Sequence, residues 1–415
     1  MKRNYSLPNL RSIRLRSMRL RMVQLHSVPL RLVQRRLVQL LRPIFVIKPG
    51  LIVVFVLLAG VSMQSYSQEL SHLYKAGEDG YTCFRIPAII TTSKGTVLAF
   101  AEARRNNCGD AGDIDIVVKR SADNGKTWSN LSLVWSDSTN TCGNPAPVVD
   151  QKSGKIILLS TWNLGTDHEK DIIAKTAKDT RRVFVLNSAD DGQHWSAAKE
   201  ITTDVKKDNW TWYATGPVNG IQIRKGKHKG RLVIACDHIE ADTKKYFSHA
   251  IYSDNGGDNW KLGGTTPADG VNECTVAELP KGVLMLNMRN FGTSRNRQVA
   301  LSKDGGESWS ELKSDTTLVE PVCQGSLLSY NYKRKKSFLV FSNPANQKAR
   351  TNMTVRISYD NGSTWKSKNV LHEGPAAYSN LVVLPNGNLA CLYEAGNAKP
   401  YEGIVFEELS LGDFK

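Results

Sequence analysis

The chain has 415 residues and a formal charge of +16, with 55 Lys and Arg against 39 Asp and Glu. Taken whole, that excess suggests a nucleic-acid partner. The excess is unevenly placed: residues 1–67 hold twelve basic residues and no acid, leaving 43 − 39 = +4 for the remainder. Nucleic acid is therefore excluded as the expected partner. In chain order, a Leu/Arg-rich stretch from Arg11 to Arg42 comes first, read as a basic amphipathic arm or an upstream extension. Lys48 then precedes an apolar run from Leu51 to Val61, followed by Ser65-Tyr66-Ser67 as a small-residue cleavage site. That is the layout of a secretory signal peptide, and the run is short for a membrane span. The expectation is an exported protein (periplasmic, cell-surface or secreted) whose membrane contact is limited to this segment, with uncleaved anchoring as the alternative.

From residue 68 onward the sequence reads as short strands separated by turn signals, with no amphipathic helix of useful length. Six apolar hairpins follow one another: Phe84–Arg104, Asn144–Trp162, Gly216–His238, Glu273–Arg289, Glu320–Phe341 (turning at Lys333–Lys336) and Tyr378–Glu394. After each of the first five, a third strand runs into a near-identical eight-residue box, Ser-x-Asp-x-Gly-x-x-Trp. The boxes lie at Ser121–Trp128, Ser188–Trp195, Ser253–Trp260, Ser302–Trp309 and Ser358–Trp365, and the third carries Asn255 in place of Asp. A motif recurring at such intervals marks a repeat architecture. Asp or Asn accepts hydrogen bonds from turn N–H groups, Gly supplies a conformation other residues resist, and Trp pins the turn to a neighbour. The boxes are read as structural. The expected fold is all-β, a six-bladed β-propeller of four-stranded antiparallel blades over 68–415, with 1–67 as the basic extension and signal.

Seven cysteines leave at least one without an internal partner. Cys83 and Cys108 are candidates for a pair, although sequence does not fix connectivity. No Cys-x-x-Cys and no close His/Cys cluster suggests a metal, and no cofactor is expected.

Hairpin topology sorts the polar residues by end. The start of a hairpin's first strand and the finish of its second lie together, opposite the boxes. Strand-one starts contribute Arg85, Glu273 and Tyr378. Strand-two ends and the loops beyond them contribute Arg104, Asp110, Arg289 and Arg350. Arginines crowded at one mouth are costly unless something anionic binds between them. Guanidinium forks from three blades suit a small carboxylate or phosphate. An anionic sugar acid with its carboxylate on the anomeric carbon would use the whole set, because a neutral phenol attacks it without the repulsion a carboxylate nucleophile meets.

These residues resemble the sialidases (neuraminidases) of bacteria and animals. Phe84-Arg85-Ile86-Pro87 is similar to the family's first-arginine motif, and the five boxes are similar to its Asp boxes. Asn272–Glu278 resembles its glutamate motif, Asn287–Asn290 its second arginine, Phe341–Ala345 with Arg350 its third, and Ala377–Leu381 its nucleophile motif. The resemblance covers essentially all of 70–410. It implies that Arg85, Arg289 and Arg350 clamp the sialic acid carboxylate and that Tyr378 attacks with Glu273 as base. Asp110 then protonates the leaving oxygen and later activates water, with retention of configuration, while Arg104 faces the ring hydroxyls. Sialidases with their tyrosine nucleophile are a known exception to the two-carboxylate rule of glycoside hydrolysis.

Arg350, Asp110 and Glu273 have competitors. Arg356 is the alternative third clamp, but it lies in a strand entering a box. Asp113 and Asp115 compete with Asp110, yet fall inside the third strand. Glu278 is read as a structural partner for an arginine. The expected activity is exo-α-sialidase action on terminal sialic acid of glycoproteins, glycolipids and oligosaccharides, by a monomer. Alternatives are transfer to galactose or ring closure to an anhydro sugar on the same intermediate, and a non-catalytic glycan- or protein-binding propeller.

Overall fold

The computed structural model describes residues 70–331 and 337–414, within a compact unit spanning Tyr66–Lys415. The expected export signal and the expected turn at Lys333–Lys336 lie outside the described residues. The described chain is all-β, with 24 strands and two short α-helices, Glu169–Ala174 and Thr202–Val205. Nearly every strand pairing is antiparallel, the exception among them being a parallel bridge between Ile114 and Thr141.

Six consecutive strand groups repeat one plan. The first is Cys83–Thr91, Val97–Arg104, Ile114–Ser121 and Ser132–Trp135, and the second is Thr141–Val149, Ile156–Asn163, Arg182–Ser188 and Lys199–Glu200. The third is Trp210–Thr215 with Ile221–Gln222, then Leu232–Glu240, Tyr246–Ser253 and Lys261–Thr265. The fourth is Val271–Glu278, Leu284–Asn290, Asn296–Ser302 and Lys313–Val319. The fifth takes Ser326–Tyr330, Phe338–Pro344, Thr351–Ser358 and the first half of the long strand Ser367–Val383. The sixth takes the second half of that strand, Leu389–Ala395 and Gly403–Leu409. Its fourth strand, which the sequence left unassigned, comes from the front of the chain: His72–Lys75 pairs antiparallel with Gly403–Leu409.

The leading strands are linked in succession. Asn144 N–H donates to Glu102 Oε1 of the first group at 2.7 Å. Thr215 Oγ1 donates to the Asn144 carbonyl at 2.6 Å, and Cys274 N–H to the Gly216 carbonyl at 3.1 Å. Leu327 N–H donates to Thr275 Oγ1 at 3.2 Å, and Leu381 N–H to Ser326 Oγ at 3.0 Å. Ile89 N–H then donates to Asn380 Oδ1 at 2.8 Å, bringing the sixth group back to the first. Apolar cores form between neighbours, as where Phe100 and Ile116 of the first group meet Leu158 and Leu186 of the second. A group has no core without its neighbour, so the groups fold together.

Two leading strands start elsewhere than expected. In the third group the strand begins at Trp210, not Gly216, because Gly216 turns to φ +72° and interrupts the extended backbone until Ile221. In the fifth it begins at Ser326. Glu320 instead forms a fully buried pair with Arg297 at 2.9 Å, upstream of the strand.

All five boxes share one geometry. In the second, Ser188 Oγ donates to Asp190 Oδ1 (2.9 Å), which also accepts from His194 N–H (2.9 Å), while Gly192 N–H donates to Ser188 Oγ (2.9 Å). Asn255 reproduces this, accepting from Ser253 Oγ at 2.9 Å and Asn259 N–H at 3.0 Å. The serine thus serves both turn partners at once. The box glycine docks on the preceding group. Gly192, at φ +78°, would place a Cβ 2.6 Å from Leu98 Cδ1, and Gly257 would place one 2.7 Å from Ile157 Cγ1. Gly192→Ala must therefore suffer both left-handed strain and overpacking, and should lower unfolding stability by about 2–4 kcal/mol in denaturant titration. A loss under about 0.5 kcal/mol, the size of an ordinary surface change, would show that the box does not dock tightly.

Candidate active site

At the end opposite the boxes, a cavity of about 330 Å³ is lined by Arg85, Arg104, Asp110, Glu273, Arg289, Arg350 and Tyr378. All seven site residues expected from sequence therefore face one space, within the size range of small-ligand sites. Local backbone geometry explains how strands can aim them inward. In five leading strands the register shifts at the cavity: between Arg85 and Ala88, Gly143 and Ala146, Trp210 and Tyr213, Val271 and Cys274, and Ala376 and Ser379. Ile86, Asn144, Trp212, Glu273 and Tyr378 lie inside these irregularities and line the cavity. Bulges of this kind re-aim side chains and interrupt pairing. Pro87 and Pro145 fall within two of them, where the missing N–H costs no ladder bond.

Tyr378 is buried, and its hydroxyl donates to Glu273 Oε1. Arg289 Nη1 donates to Glu273 Oε2 at 2.5 Å and to the Tyr378 oxygen at 3.2 Å. Burial and the Glu273 charge push the phenol well above its usual pKa, against the pull of Arg289, Arg350 and Arg85. The phenol is thus neutral, with a base in hydrogen-bond contact.

The arginines are held differently. Arg85 Nε and Nη2 donate to Glu394 at 3.2 and 3.4 Å, and Nη1 to Asp110 Oδ1 at 3.3 Å. Glu394 is fully buried and also accepts from Ile86 N–H at 2.9 Å and Tyr378 N–H at 3.1 Å. Arg350 finds neutral acceptors only, the Tyr401 hydroxyl at 2.8 Å and the Val322 carbonyl at 3.2 Å. Arg104 Nη1 donates to Asp110 Oδ1 at 2.8 Å and to the carbonyls of Cys108 and Gly109 at 2.6 and 2.8 Å, while its other nitrogens engage Glu102. Desolvation at the wall pushes the Asp110 carboxyl up, but Arg104 and Arg85 outweigh it and hold it below the ordinary value.

Of the competitors, Asp115 is buried against Tyr81 and Arg105, and Asp113 pairs with Arg105, so neither lines the cavity. Arg356 donates to Asn343 Oδ1 at 3.3 Å, away from the cavity. Glu278 does cap the other end of its strand, but it accepts from the backbone N–H groups of Arg224 and Lys225 (2.9 and 2.8 Å). The expected arginine side-chain partner is thus corrected to backbone amides. Cys83 and Cys108 form a disulfide, and the remaining five cysteines are buried and free.

The rest of the lining was not singled out from sequence. Glu169 arrives on a six-residue helix too short for periodicity to reveal. Trp212 comes from the leading strand that starts earlier than expected. Arg181 is buried and stacks 4.0 Å over the Trp212 ring, bonding Asn144 Oδ1, Asn163 Oδ1 and the Tyr213 carbonyl. With no carboxylate in direct contact, burial lowers its pKa to about 10. Burial, with Glu273 and Glu169 nearby, holds Asp237 well above the carboxylate range. Asp237 Oδ2, Asn272 Oδ1 and Arg289 Nε are buried at this wall with no hydrogen-bond partner among the described residues. Orphaned polar atoms around a concave space are what a polar ligand would satisfy. Among the described residues, no group of three or more His, Cys, Asp or Glu is arranged to hold a metal.

Glu394 ties the first leading strand to the last, and its removal leaves Arg85 Nε and Nη2 and two amides without an acceptor. Glu394→Ala should lower unfolding stability by about 3–5 kcal/mol in chemical denaturation. Melting indistinguishable from wild type would remove Glu394 as the anchor.

Comparison with known proteins places this geometry in a family. Residues 95–391 match the BNR repeat-like domain family. The chain is 34% identical to a sialidase of Bacteroides fragilis over 359 residues, covering 81% of this chain and 64% of that protein. It is 32% identical to an exo-alpha-sialidase of Arthroderma benhamiae, covering 80% of this chain and 84% of that protein. The solved structure of the Hadza microbial sialidase Hz136 superposes with a TM-score of 0.74 at 31% identity, over 83% of this chain and 68% of the other. The chain thus spans just under two thirds of the Bacteroides protein. On these matches, and on the boxes and cavity they coincide with, the chain belongs to the sialidase family.

Proposed function

We propose that the protein is an exo-α-sialidase that hydrolyses terminal α-linked sialic acid from glycoproteins, glycolipids and oligosaccharides, with the cavity as its active site. The observation that carries this reading is the buried Tyr378 hydroxyl, hydrogen-bonded to Glu273 and flanked by Arg289, Arg350 and Arg85. The scaffold is proposed to be a six-bladed β-propeller. Supporting this are the six strand groups, the return of the leading-strand contacts to the first group, and the pairing of His72–Lys75 with the last group. Residues 1–67 are proposed to direct export, and the remainder to act as a monomer on sialylated glycans.

The arrangement suggests the following chemistry. The substrate carboxylate displaces the internal partners of Arg85, Arg289 and Arg350 and accepts their forked N–H groups. The Tyr378 oxygen then bonds to the anomeric carbon as the bond to the aglycone oxygen breaks. The phenolic proton passes to Glu273 and the Asp110 proton to the leaving oxygen. In the second half Asp110 takes a proton from water, the water oxygen bonds to the anomeric carbon, the tyrosyl bond breaks, and Glu273 returns its proton. Two inversions give retention.

A measurement of products tests the reading. The purified chain incubated with sialyllactose, alone and with excess galactose-terminated acceptor, should give free sialic acid with retained configuration by NMR and mass spectrometry. Tyr378→Phe should lower turnover on the order of 10³-fold or more. An anhydro sugar, a transferred sialoside or an undiminished Phe variant would each overturn the corresponding step.

The lowered Asp110 pKa sets a pH signature. An acid must be protonated to act, so kcat/KM, which reports the free enzyme, should fall as pH rises through the depressed pKa. Bound substrate places a carboxylate on Arg85, one of the two cations that depress it, so the corresponding fall in kcat should lie at higher pH. Superimposable pH profiles for kcat and kcat/KM on sialyllactose would contradict this coupling.

A further inference from the structure

We propose that the Cys83–Cys108 disulfide is a positioning device for Asp110, an inference that rests on the reading of Asp110 as the acid. The bond joins the first residue of the leading strand Cys83–Thr91, which carries Arg85, to the loop between Val97–Arg104 and Ile114–Ser121, which carries Asp110. Asp110 lies two residues beyond Cys108, and Arg85 two residues beyond Cys83. The disulfide therefore spans the acid and the first carboxylate clamp.

The loop has little else to hold it. Its sequence from 105 to 113, Arg-Asn-Asn-Cys-Gly-Asp-Ala-Gly-Asp, contains no large apolar side chain, and the Asp110 side chain is 64% exposed. No buried hydrophobic anchor fixes its height over the cavity. The polar contacts at its far end, between Thr141 Oγ1 and the backbone of Gly112 and between Arg105 and Asp113, fix where the loop rejoins the sheet. At Asp110 itself three restraints converge. Arg104 donates to the carbonyls of Cys108 and Gly109 and to the Asp110 carboxylate, Arg85 donates to Asp110 at 3.3 Å, and the disulfide pins Cys108.

Substrate binding removes one of these. Arg85 must turn its outer nitrogens to the incoming carboxylate, so its contact with Asp110 is given up when the acid is about to act. Protonation of Asp110 weakens the Arg104 contact in the same state, because a neutral carboxyl accepts a weaker hydrogen bond than a carboxylate. The covalent link is a restraint that neither event touches. The Arg104 bonds to the Cys108 and Gly109 carbonyls also persist, and the disulfide is the covalent member of that set, holding the loop backbone within reach of the leaving oxygen while the ionic contacts exchange.

A positioning role differs from a general staple in which substrates suffer. General acid catalysis matters most when the leaving group is a poor one. Three full-length proteins should be compared: wild type, Cys83→Ser/Cys108→Ser and Asp110→Ala. Each is assayed on sialyllactose, whose leaving group is a sugar hydroxyl, and on 4-methylumbelliferyl sialoside, whose leaving group is an acidic phenol. The double serine variant should lose on the order of 10- to 100-fold in kcat on sialyllactose while staying within about 3-fold of wild type on the phenolic substrate. Asp110→Ala should show the same split more strongly. Equal losses on both substrates in the serine variant, or no loss on either, would overturn the inference. Equal losses in Asp110→Ala would instead remove Asp110 as the acid, and the two failures are thereby told apart.

Should the serine variant not fold, the folded wild-type protein serves. Dithiothreitol delivers two electrons and two protons to the bond, forming two thiols while itself closing to a cyclic disulfide. The five free cysteines are buried, so alkylation of the reduced protein should mark Cys108 first in peptide mapping. The leaving-group split must appear on reduction and vanish on reoxidation. Reduction that is confirmed by mapping yet leaves both rates unchanged would also overturn the inference.

Discussion

The fully buried Glu394 carboxylate is the contact on which the arrangement of this site depends. It accepts from two nitrogens of Arg85 and from the backbone N–H groups of Ile86 and Tyr378. Those residues belong to the first and last strand groups, about three hundred positions apart in sequence. One anion thereby sets the distance between Arg85 and Tyr378, independent of any surface loop. Glu273 makes the second such tie, joining Arg289 to the Tyr378 hydroxyl. Arg350 has no equivalent. Its acceptors are a hydroxyl and a carbonyl, so of Arg85, Arg289 and Arg350 it carries the least compensated charge. Attraction for an incoming carboxylate should therefore be strongest on that side of the cavity, where binding does not first have to break an ion pair.

Under the proposed mechanism, Asp110 needs a different protonation state in the empty site and in the occupied one. Between Arg104 and Arg85 the carboxylate is favoured, which balances two cations while no substrate is bound. In the proposed mechanism an anionic substrate supplies that balance itself and returns Asp110 toward the neutral form, so that the charge being recognised would also prepare the acid. Asp237 presents the opposite case, a carboxyl whose pKa burial beside Glu273 and Glu169 pushes well above the usual range.

Much of this was legible in the sequence, for identifiable reasons. The boxes are local: serine, acid and glycine bond within five residues, so their letters carry their geometry. The arginines and Tyr378 were legible because hairpin topology fixes which strand ends meet. Glu394 bounds the last hairpin in the sequence but was not singled out, because its role emerges only when the first and sixth groups are adjacent. Other features were hidden by tertiary context. His72–Lys75 is too short to be assigned a partner without its distant strand. Trp212 was lost because Gly216-Pro217 reads as a strand start when it is an interruption within one. Arg181 and Asp237 owe their chemistry to burial, which no local pattern encodes.

The contrast between the two ends of the strand groups follows from what each must do. A box turn performs one task five times, docking its glycine on the group before it, and the same residue types recur because the same contact recurs. At the mouth five of the six leading strands contribute different side chains to the cavity, and there the sequences diverge: Arg85-Ile86-Pro87, Asn144-Pro145, Thr211-Trp212, Asn272-Glu273, Ala377-Tyr378. What these segments share is a break in register, which frees their side chains from the alternation a regular strand imposes. Glu273 and Tyr378, whose contact lies at the heart of the cavity, therefore sit where the repeat is violated, and the repeat holds those positions at a fixed distance from one another.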